Sequence, residues 1–286
     1  MPLDTSTTYR LTRLRLDGRR WNELRLLQAQ ISTNPASSGS SYLSMGNTAV
    51  LCTVHGPAEG KRSETAGAAA QKKKSTTGSG GGDRQATTEL ANSLRDAFQP
   101  HIHAHLYPRS TISVHVSVLS SDGSLFAACL NACTLALVDA GIPMPGLLCA
   151  CTVGMSGRAS TPAVTAESAQ IGGINESLDP LLDISAPEEV ELPYMTVANT
   201  NPMPDITVPK DGEDEEDDEY DAENENQMLS IVHMDSGVHV SYLETMFAVG
   251  IDGCKQTREI LNGVLKAAGK RVLMGETASG LDYDDE

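Results

Sequence analysis

Aromatic residues are scarce in this chain of 286 residues: three Phe, seven Tyr and one Trp, 4% in all. A core with so few rings must be filled by Val, Leu, Ile, Ala and Met. A base-stacking surface of the kind that reads single-stranded nucleic acid by sequence is not expected either. The six cysteines, Cys52, Cys129, Cys133, Cys149, Cys151 and Cys254, include no CxxC pair and no Cys/His spacing of a zinc finger. They sit mostly among apolar neighbours, which predicts reduced core thiols of an intracellular protein and excludes a small disulfide-stapled scaffold. Met1 to Arg20 has no apolar run, so no secretory signal is expected. Ala140 to Gly157 is uncharged but carries Pro143, Pro145 and several glycines, which argues against a spanning helix. A phosphate-cradling loop is also missing: Gly78 to Gly82 reads GSGGG without the Lys-Ser/Thr that a P-loop needs.

Charge is abundant but unevenly placed. The net value of −17 comes from 21 basic and 38 acidic residues. Eleven carboxylates fall between Asp211 and Glu225, and four more are Asp282, Asp284, Asp285 and Glu286. Outside these tracts the charges nearly cancel. The acidic total therefore does not exclude a nucleic-acid partner, whose binding depends on local basic stripes.

Periodicity predicts strands at Leu24 to Ser32, Ser41 to Met45 and Ala49 to His55, the last closed by Gly56-Pro57. Glu59 to Arg84 is Ala, Gly, Ser, Thr and Lys with almost no large apolar residue, and reads as a flexible loop. Leu90, Leu94, Ala97, Phe98 and Ile102 predict an amphipathic helix over Thr87 to His105. Ile112, Val114, Val116 and Val118 alternate as a half-buried strand, and after the turn Ser120-Ser-Asp-Gly123 the apolar stretch Leu125 to Asp139 predicts a buried helix. In the second half, strands are expected at Leu147 to Val153, Ala163 to Ile171, Val190 to Ala198 and Met228 to Met234, with the acidic tract inserted between the last two. Ser241-Tyr-Leu-Glu244 has capping-box spacing and opens a helix to about Ala268. The order is an α+β pattern stated twice.

Several residues carry candidate chemistry. His101, His103 and His105 put only their outer pair on one helical face, and no third ligand is in view, so no metal site is expected. Asp179, Asp183, Glu188, Glu189 and Glu191 crowd the approach to a strand, where paired carboxylates suit a divalent ion or a general acid, or form a polar loop rim. Lys61, Arg62, Lys72, Lys73, Lys74 and Arg84 suit contact with a phosphate backbone, or keep a loop solvated; composition supports both readings equally. No cofactor is implied.

The blocks Leu16-Asp-Gly-Arg-Arg-Trp-Asn-Glu-Leu-Arg25, Gly39-Ser-Ser-Tyr-Leu-Ser-Met-Gly-Asn-Thr48, Val54-His-Gly-Pro57, Tyr107-Pro-Arg109 and Leu130-Asn-Ala-Cys-Thr-Leu-Ala-Leu-Val-Asp-Ala-Gly141, taken in order, resemble the RNase PH family over roughly residues 10–270. Within it they look most like the eukaryotic RNA exosome ring subunit that is the counterpart of the archaeal catalytic subunit. The resemblance implies a ribosomal protein S5 domain 2-type fold in two related halves. These would be an N-terminal extension (1–14), a first half (15–141) holding the flexible basic loop 59–84, a second half (142–272) holding the acidic insertion 210–226, and an acidic tail (273–286).

Active members of the family cleave RNA from the 3′ end by phosphorolysis, which needs an anion site and an acid for the leaving oxygen. Their phosphate turn reads Asp-Gly-Gly-Thr/Ser-Arg; here it is Asp122-Gly123-Ser124-Leu125-Phe126. Leu125 and Phe126 offer an anion no donor. Aligning Leu182-Asp183 with the family's Leu-Asp puts Glu189 at the general-acid position and Met195 where a further Asp would stand. Gln85 and Ala86 replace an expected Arg pair, and the stretch ahead of them shows no pattern of the strand that relatives carry. The resemblance thus implies a ring subunit with a degenerate catalytic site. It would scaffold 3′–5′ RNA processing, including rRNA processing and mRNA turnover, and thread single-stranded RNA to a separate hydrolytic exoribonuclease. Its implied partners are other RNase PH-like subunits in a hetero-hexameric ring and S1/KH-type cap subunits, with no membrane, in nucleus, nucleolus and cytoplasm. The basic residues from Lys61 to Arg84 would touch RNA. The rivals are an active phosphorolytic exoribonuclease using Glu189, and a monomeric acidic interaction protein.

Overall fold

The computed structural model describes residues 9, 14–59, 69–72, 82–108, 110–156, 179–200, 229–234, 237–238 and 240–274. Two sheets share one central helix. The first sheet contains β1 (Leu27–Ile31), β2 (Gly39–Met45), β3 (Thr48–Glu59), β4 (Ala69–Lys72) and β5 (Ser110–Ser120), in the spatial order β1-β2-β3-β5-β4. Its neighbours are antiparallel except β4, which runs parallel to β5 with Ala69 opposite His115 and Lys72 opposite Val118. The second sheet contains β6 (Leu148–Met155), β7 (Pro180–Leu182), β8 (Tyr194–Thr200) and β9 (Leu229–Met234), in the order β7-β6-β8-β9 and antiparallel throughout.

Between α1 (Gly82–Phe98) and the long C-terminal α4 (Val240–Leu273) come α2 (Leu125–Asp139) and the short α3 (Ala186–Glu191). Helix α2 is apolar on every side, so burial on every side is its stable state. All residues from Phe126 to Leu137 are buried. One cluster joins its Leu130, Leu135 and Leu137 to Leu43, Val50, Val54 and Val116 of the first sheet and to Leu148 and Ala150 of the second. The two polar residues of its buried run Phe126 to Leu137 dock β6. Asn131 exchanges hydrogen bonds with the Ala150 carbonyl (2.9 Å) and N–H (2.8 Å), and Thr134 donates to the Leu148 carbonyl (2.8 Å). Helix α4 covers the other side of β6 and β8, burying Met246, Cys254 and Leu261.

The α+β class and the helix Leu125–Asp139 agree with expectation. Other boundaries differ for physical reasons. Strand β3 continues past Gly56-Pro57 to Glu59 because a register shift between His55 and Ala58 absorbs the interruption. The stretch 59–84 is not all loop. Residues 69–72 pair with the edge of β5, so a strand made by backbone hydrogen bonds is present as β4 although side-chain periodicity does not show it. Helix α1 stops at Phe98 because Pro100 restricts Gln99, and a separate 3-10 turn follows at Ala104–Leu106. Val190 lies in the last turn of α3 instead of opening a strand; β8 starts after Pro193. Helix α4 begins at Val240, so Ser241 lies inside it, and the capping box observed is Ser185 with Glu188 at α3. The helix runs to Leu273, beyond Ala268. The strand expected at 163–171, the acidic tract 211–225 and residues 275–286 lie outside the described residues.

All six cysteines are free and buried. Burial pushes the Cys149 thiol up to about 11 and the Cys254 thiol up to about 12. No helix among the described residues is long and apolar enough to cross a membrane.

Candidate functional site

The segment Leu14 to Arg25 crosses from the first half to the second and is tied there by three arginines. Arg25 donates from its backbone N–H and Nε to Asp183 Oδ2 (3.0 Å each) and from Nη2 to Asp183 Oδ1 (2.8 Å). Its remaining N–H groups reach the Asp122 carbonyl, the Gly123 carbonyl (3.4 Å) and Thr48 Oγ1 (3.4 Å). Arg15 donates from Nε to Glu188 Oε1 (2.8 Å), pairs through Nη2 with Glu188 Oε2, and donates to the carbonyls of Leu182 and Asp183. Arg19 adds a bond to the Asp183 carbonyl (3.1 Å). Asp183 is 0% exposed and Glu188 2%. Burial works against both charges, but their arginine partners outweigh it and hold both carboxyls below the ordinary carboxylate range.

This clamp fixes two turns face to face. Ser124 Oγ donates to the Ile184 carbonyl (2.9 Å), and Thr48 Oγ1 donates to the Gly123 carbonyl (2.8 Å). Gly123 has φ +76°, and a Cβ there would lie 2.6 Å from the Ile184 carbonyl oxygen and 2.7 Å from the Ala186 nitrogen. Only glycine fits this turn. Ser124 also adopts a left-handed backbone, φ 51°, where the family pattern has its second glycine.

Above the clamp a cleft of about 300 Å³ opens between the two halves. Helix α1 lines it with Glu89, Leu90 and Ser93, and the start of α2 with Ser124, Leu125 and Phe126. The second half contributes Glu189 from α3, Tyr194 and Thr196 from β8, and His233 from β9. The rings of Phe126 and His233 stand 4.8 Å apart. No Lys or Arg side chain is among these described lining residues.

The structure brings together Leu125, Phe126 and Glu189, three of the four positions read as degenerate. Met195 is not with them. It is 0% exposed and packs behind the sheet with Cys151, Val153 and Met246. Alternation along β8 turns Tyr194 and Thr196 toward the cleft instead, so the second acid position expected at Met195 is filled by core. Asp183 belongs to the clamp beneath. Tyr194 and Thr196 were discoverable from period-two alternation, and Glu89 with Ser93 from i,i+4 spacing on α1; His233 carried no local signal. Lys61, Arg62, Lys73 and Lys74 lie outside the described residues, and of Lys72 in β4 and Arg84 in α1 only the backbone is described. His103 and His105 form an edge-to-face ring pair, and His101 Nε2 lies 3.4 Å from Thr200 Oγ1. Among the described residues no group of three or more His, Cys, Asp or Glu could hold a metal ion.

The family model described as 3′ exoribonuclease family, domain 1 (RNase PH) matches residues 23–143. The exosome complex component ski6 of Schizosaccharomyces pombe is 30% identical over 271 residues, covering 91% of this chain and 94% of that protein. Mouse exosome complex component RRP41 is 42% identical over 152 residues, 49% of this chain and 62% of its own length. The crystal structure of rice Rrp46 superposes with a TM-score of 0.63 at 23% identity, over 88% of this chain and all of that one, which shows the shared fold. The chain belongs to the RNase PH family.

Proposed function

We propose that this chain is a non-catalytic ring subunit of the RNA exosome that supports 3′–5′ RNA processing by scaffolding and by conducting RNA to a separate hydrolytic nuclease. The observation that carries the ring role is similarity over nearly the whole length to a protein named as an exosome complex component. The cleft supports the loss of catalysis: apolar Leu125 and Phe126 stand where phosphate donors are required. Without a positioned phosphate, an acid has no reaction to assist. Its neighbours in this reading are other RNase PH-like chains of a hetero-hexameric ring and S1/KH-type caps. It acts in nucleus and nucleolus and also in cytoplasm, on rRNA and mRNA. Contact with single-stranded RNA falls to Lys61, Arg62, Lys72, Lys73, Lys74 and Arg84, as a sequence-independent electrostatic track.

The test is release of nucleoside diphosphates from single-stranded RNA by the chain alone and by the ring lacking its hydrolytic nuclease, with and without inorganic phosphate. We expect none. One observation favours a second reading, active phosphorolysis: Glu189 does face the cleft. Phosphate-dependent turnover abolished by Glu189→Gln would establish it.

A further inference from the structure

Helix α4 changes its charge along its length. Its acids, Glu244, Asp252 and Glu259, all precede Ile260, and from there to Leu273 its charged residues are Lys266, Lys270 and Arg271. All three are exposed. Among the described residues no carboxylate pairs with them or with Arg258, whereas Lys255 lies 3.8 Å from Asp252. Arg258, Asn262, Lys266 and Lys270 recur at four-residue steps and so share one row along the helix.

The row begins where a long segment leaves the fold. Gly250 and Cys254 face Val197, and Arg258 donates to the Asn199 carbonyl (3.1 Å), so the helix follows β8 toward its end. The buried Arg258 Nε has no hydrogen-bond partner there. Asn199 also pairs with Leu229, the first residue of β9. Both roots of the segment 201–228 therefore lie beside Arg258. That segment, outside the described residues, carries eleven carboxylates and no base between Asp211 and Glu225. Lys266 and Lys270 stand about 12 Å and 18 Å along the helix from Arg258. Glu225 is four residues from Leu229 and reaches about 14 Å, and Asp211, eleven residues from Thr200, reaches about 36 Å.

We propose that the basic end of α4 is a docking surface for the chain's own acidic tract, Asp211 to Glu225. Complementary charge and a short reach favour this occupant over any other, because the tract is tethered beside the row at both of its ends. Eleven adjacent like charges repel one another, and contact with three exposed cations relieves part of that repulsion. The same cations are then withheld from a phosphate backbone, so single-stranded RNA is the competing occupant. The inference does not depend on whether the cleft is catalytic.

Amide hydrogen exchange of residues 266–274 is measured in the full chain and in a variant whose eleven carboxylates between 211 and 225 are Asn or Gln. Exchange in the unaltered chain is expected to be about threefold to fivefold slower at low salt, and equal in the two forms near 1 M salt, where exposed charges are screened. With Lys266→Gln/Lys270→Gln/Arg271→Gln, neutralising the tract should change nothing further. Zero-length carbodiimide coupling, mapped by mass spectrometry in a mixture of isotopically light and heavy chains, should join the tract to Lys266 or Lys270 of the same chain. Equal exchange in the unaltered and neutralised chains at low salt overturns the proposal and leaves the cations only their favourable place at a helix C-terminus. Coupling between chains alone overturns it in favour of a second copy. Protection of 266–274 by an oligouridylate in the unaltered chain, as strong as in the neutralised variant, overturns it in favour of RNA.

Discussion

Glu188 and Glu189 are neighbours in sequence, yet the first is sealed under Arg15 while the second lines an open cleft. The same contrast separates the whole clamp from the whole cleft. Asp122, Gly123, Leu182 and Asp183, which match the family pattern, are the residues cross-bonded to Arg25, Thr48, Arg15 and Trp21. Leu125, Phe126 and Glu189, which depart from it, face the cleft. The turns of a phosphorolytic site therefore hold their geometry for reasons of packing, independent of any reaction, and the cleft can change its chemistry without loss of fold. Four predictions press on that separation.

The largest effect is expected at the Arg25–Asp183 pair. Asp183→Ala or Arg25→Ala leaves an uncompensated charge among buried groups, at a cost of about 3–5 kcal/mol in urea unfolding. Replacing both, Arg25→Met with Asp183→Leu, should recover a large part, since well-packed apolar residues often substitute for a buried pair. Single variants costing under about 1 kcal/mol would show that the clamp does not hold the halves together.

Gly123→Ala comes next. Its Cβ would meet the backbone of Ile184 to Ala186 at 2.6 to 2.7 Å in a left-handed conformation, so about 2–3 kcal/mol of destabilisation is expected. Because the turn is braced against the clamp, combining Gly123→Ala with Asp183→Ala should cost less than the sum. Strict additivity would separate the two turns energetically.

Acid should weaken the clamp. Arg25 and Arg15 hold Asp183 and Glu188 below the ordinary carboxylate range, so their charged forms favour the folded state. That contribution is complete at neutral pH and is lost as pH falls from about 5, through the ordinary carboxylate range, toward the depressed folded values. Unfolding free energy measured from pH 7 to pH 3 should therefore fall more steeply for the unaltered chain than for Asp183→Asn/Glu188→Gln. Parallel curves would place the acid sensitivity elsewhere.

The two regions also differ in how much the sequence reveals. The helix Leu125–Asp139 was legible to the residue because its apolar run and the following Gly141 are local signals. The turn at Asp122-Gly123 and the degenerate Leu125 and Phe126 were legible through the resemblance. The clamp was not, since its partners lie 158 to 173 residues apart and nothing in the local pattern of Arg15 or Arg25 names Asp183 or Glu188. Strand β4 escaped for a similar reason: its stabilisation is backbone pairing with β5. That Met195 packs in the core was not legible from an alignment, which counts residues, whereas a strand sorts them by alternate faces, and one step along β8 exchanges the core for the cleft.

The smallest effect, and the sharpest on the comparison, sets the adjacent glutamates against each other. Glu188→Gln keeps the volume but removes the charge that Arg15 answers, leaving a guanidinium with 0% side-chain exposure beside a neutral amide. It also weakens the cap in which Glu188 accepts from the Ser185 N–H (2.9 Å) and hydroxyl (3.0 Å). A loss of about 2 kcal/mol is expected. Glu189→Gln, one residue on and half-buried at the cleft, should stay within about 0.5 kcal/mol of the unaltered chain. Urea unfolding of the two variants at pH 7 measures the difference directly. Equal losses would mean that Glu189 is a structural group of the same network, and the cleft would then no longer be chemically independent of the clamp beneath it.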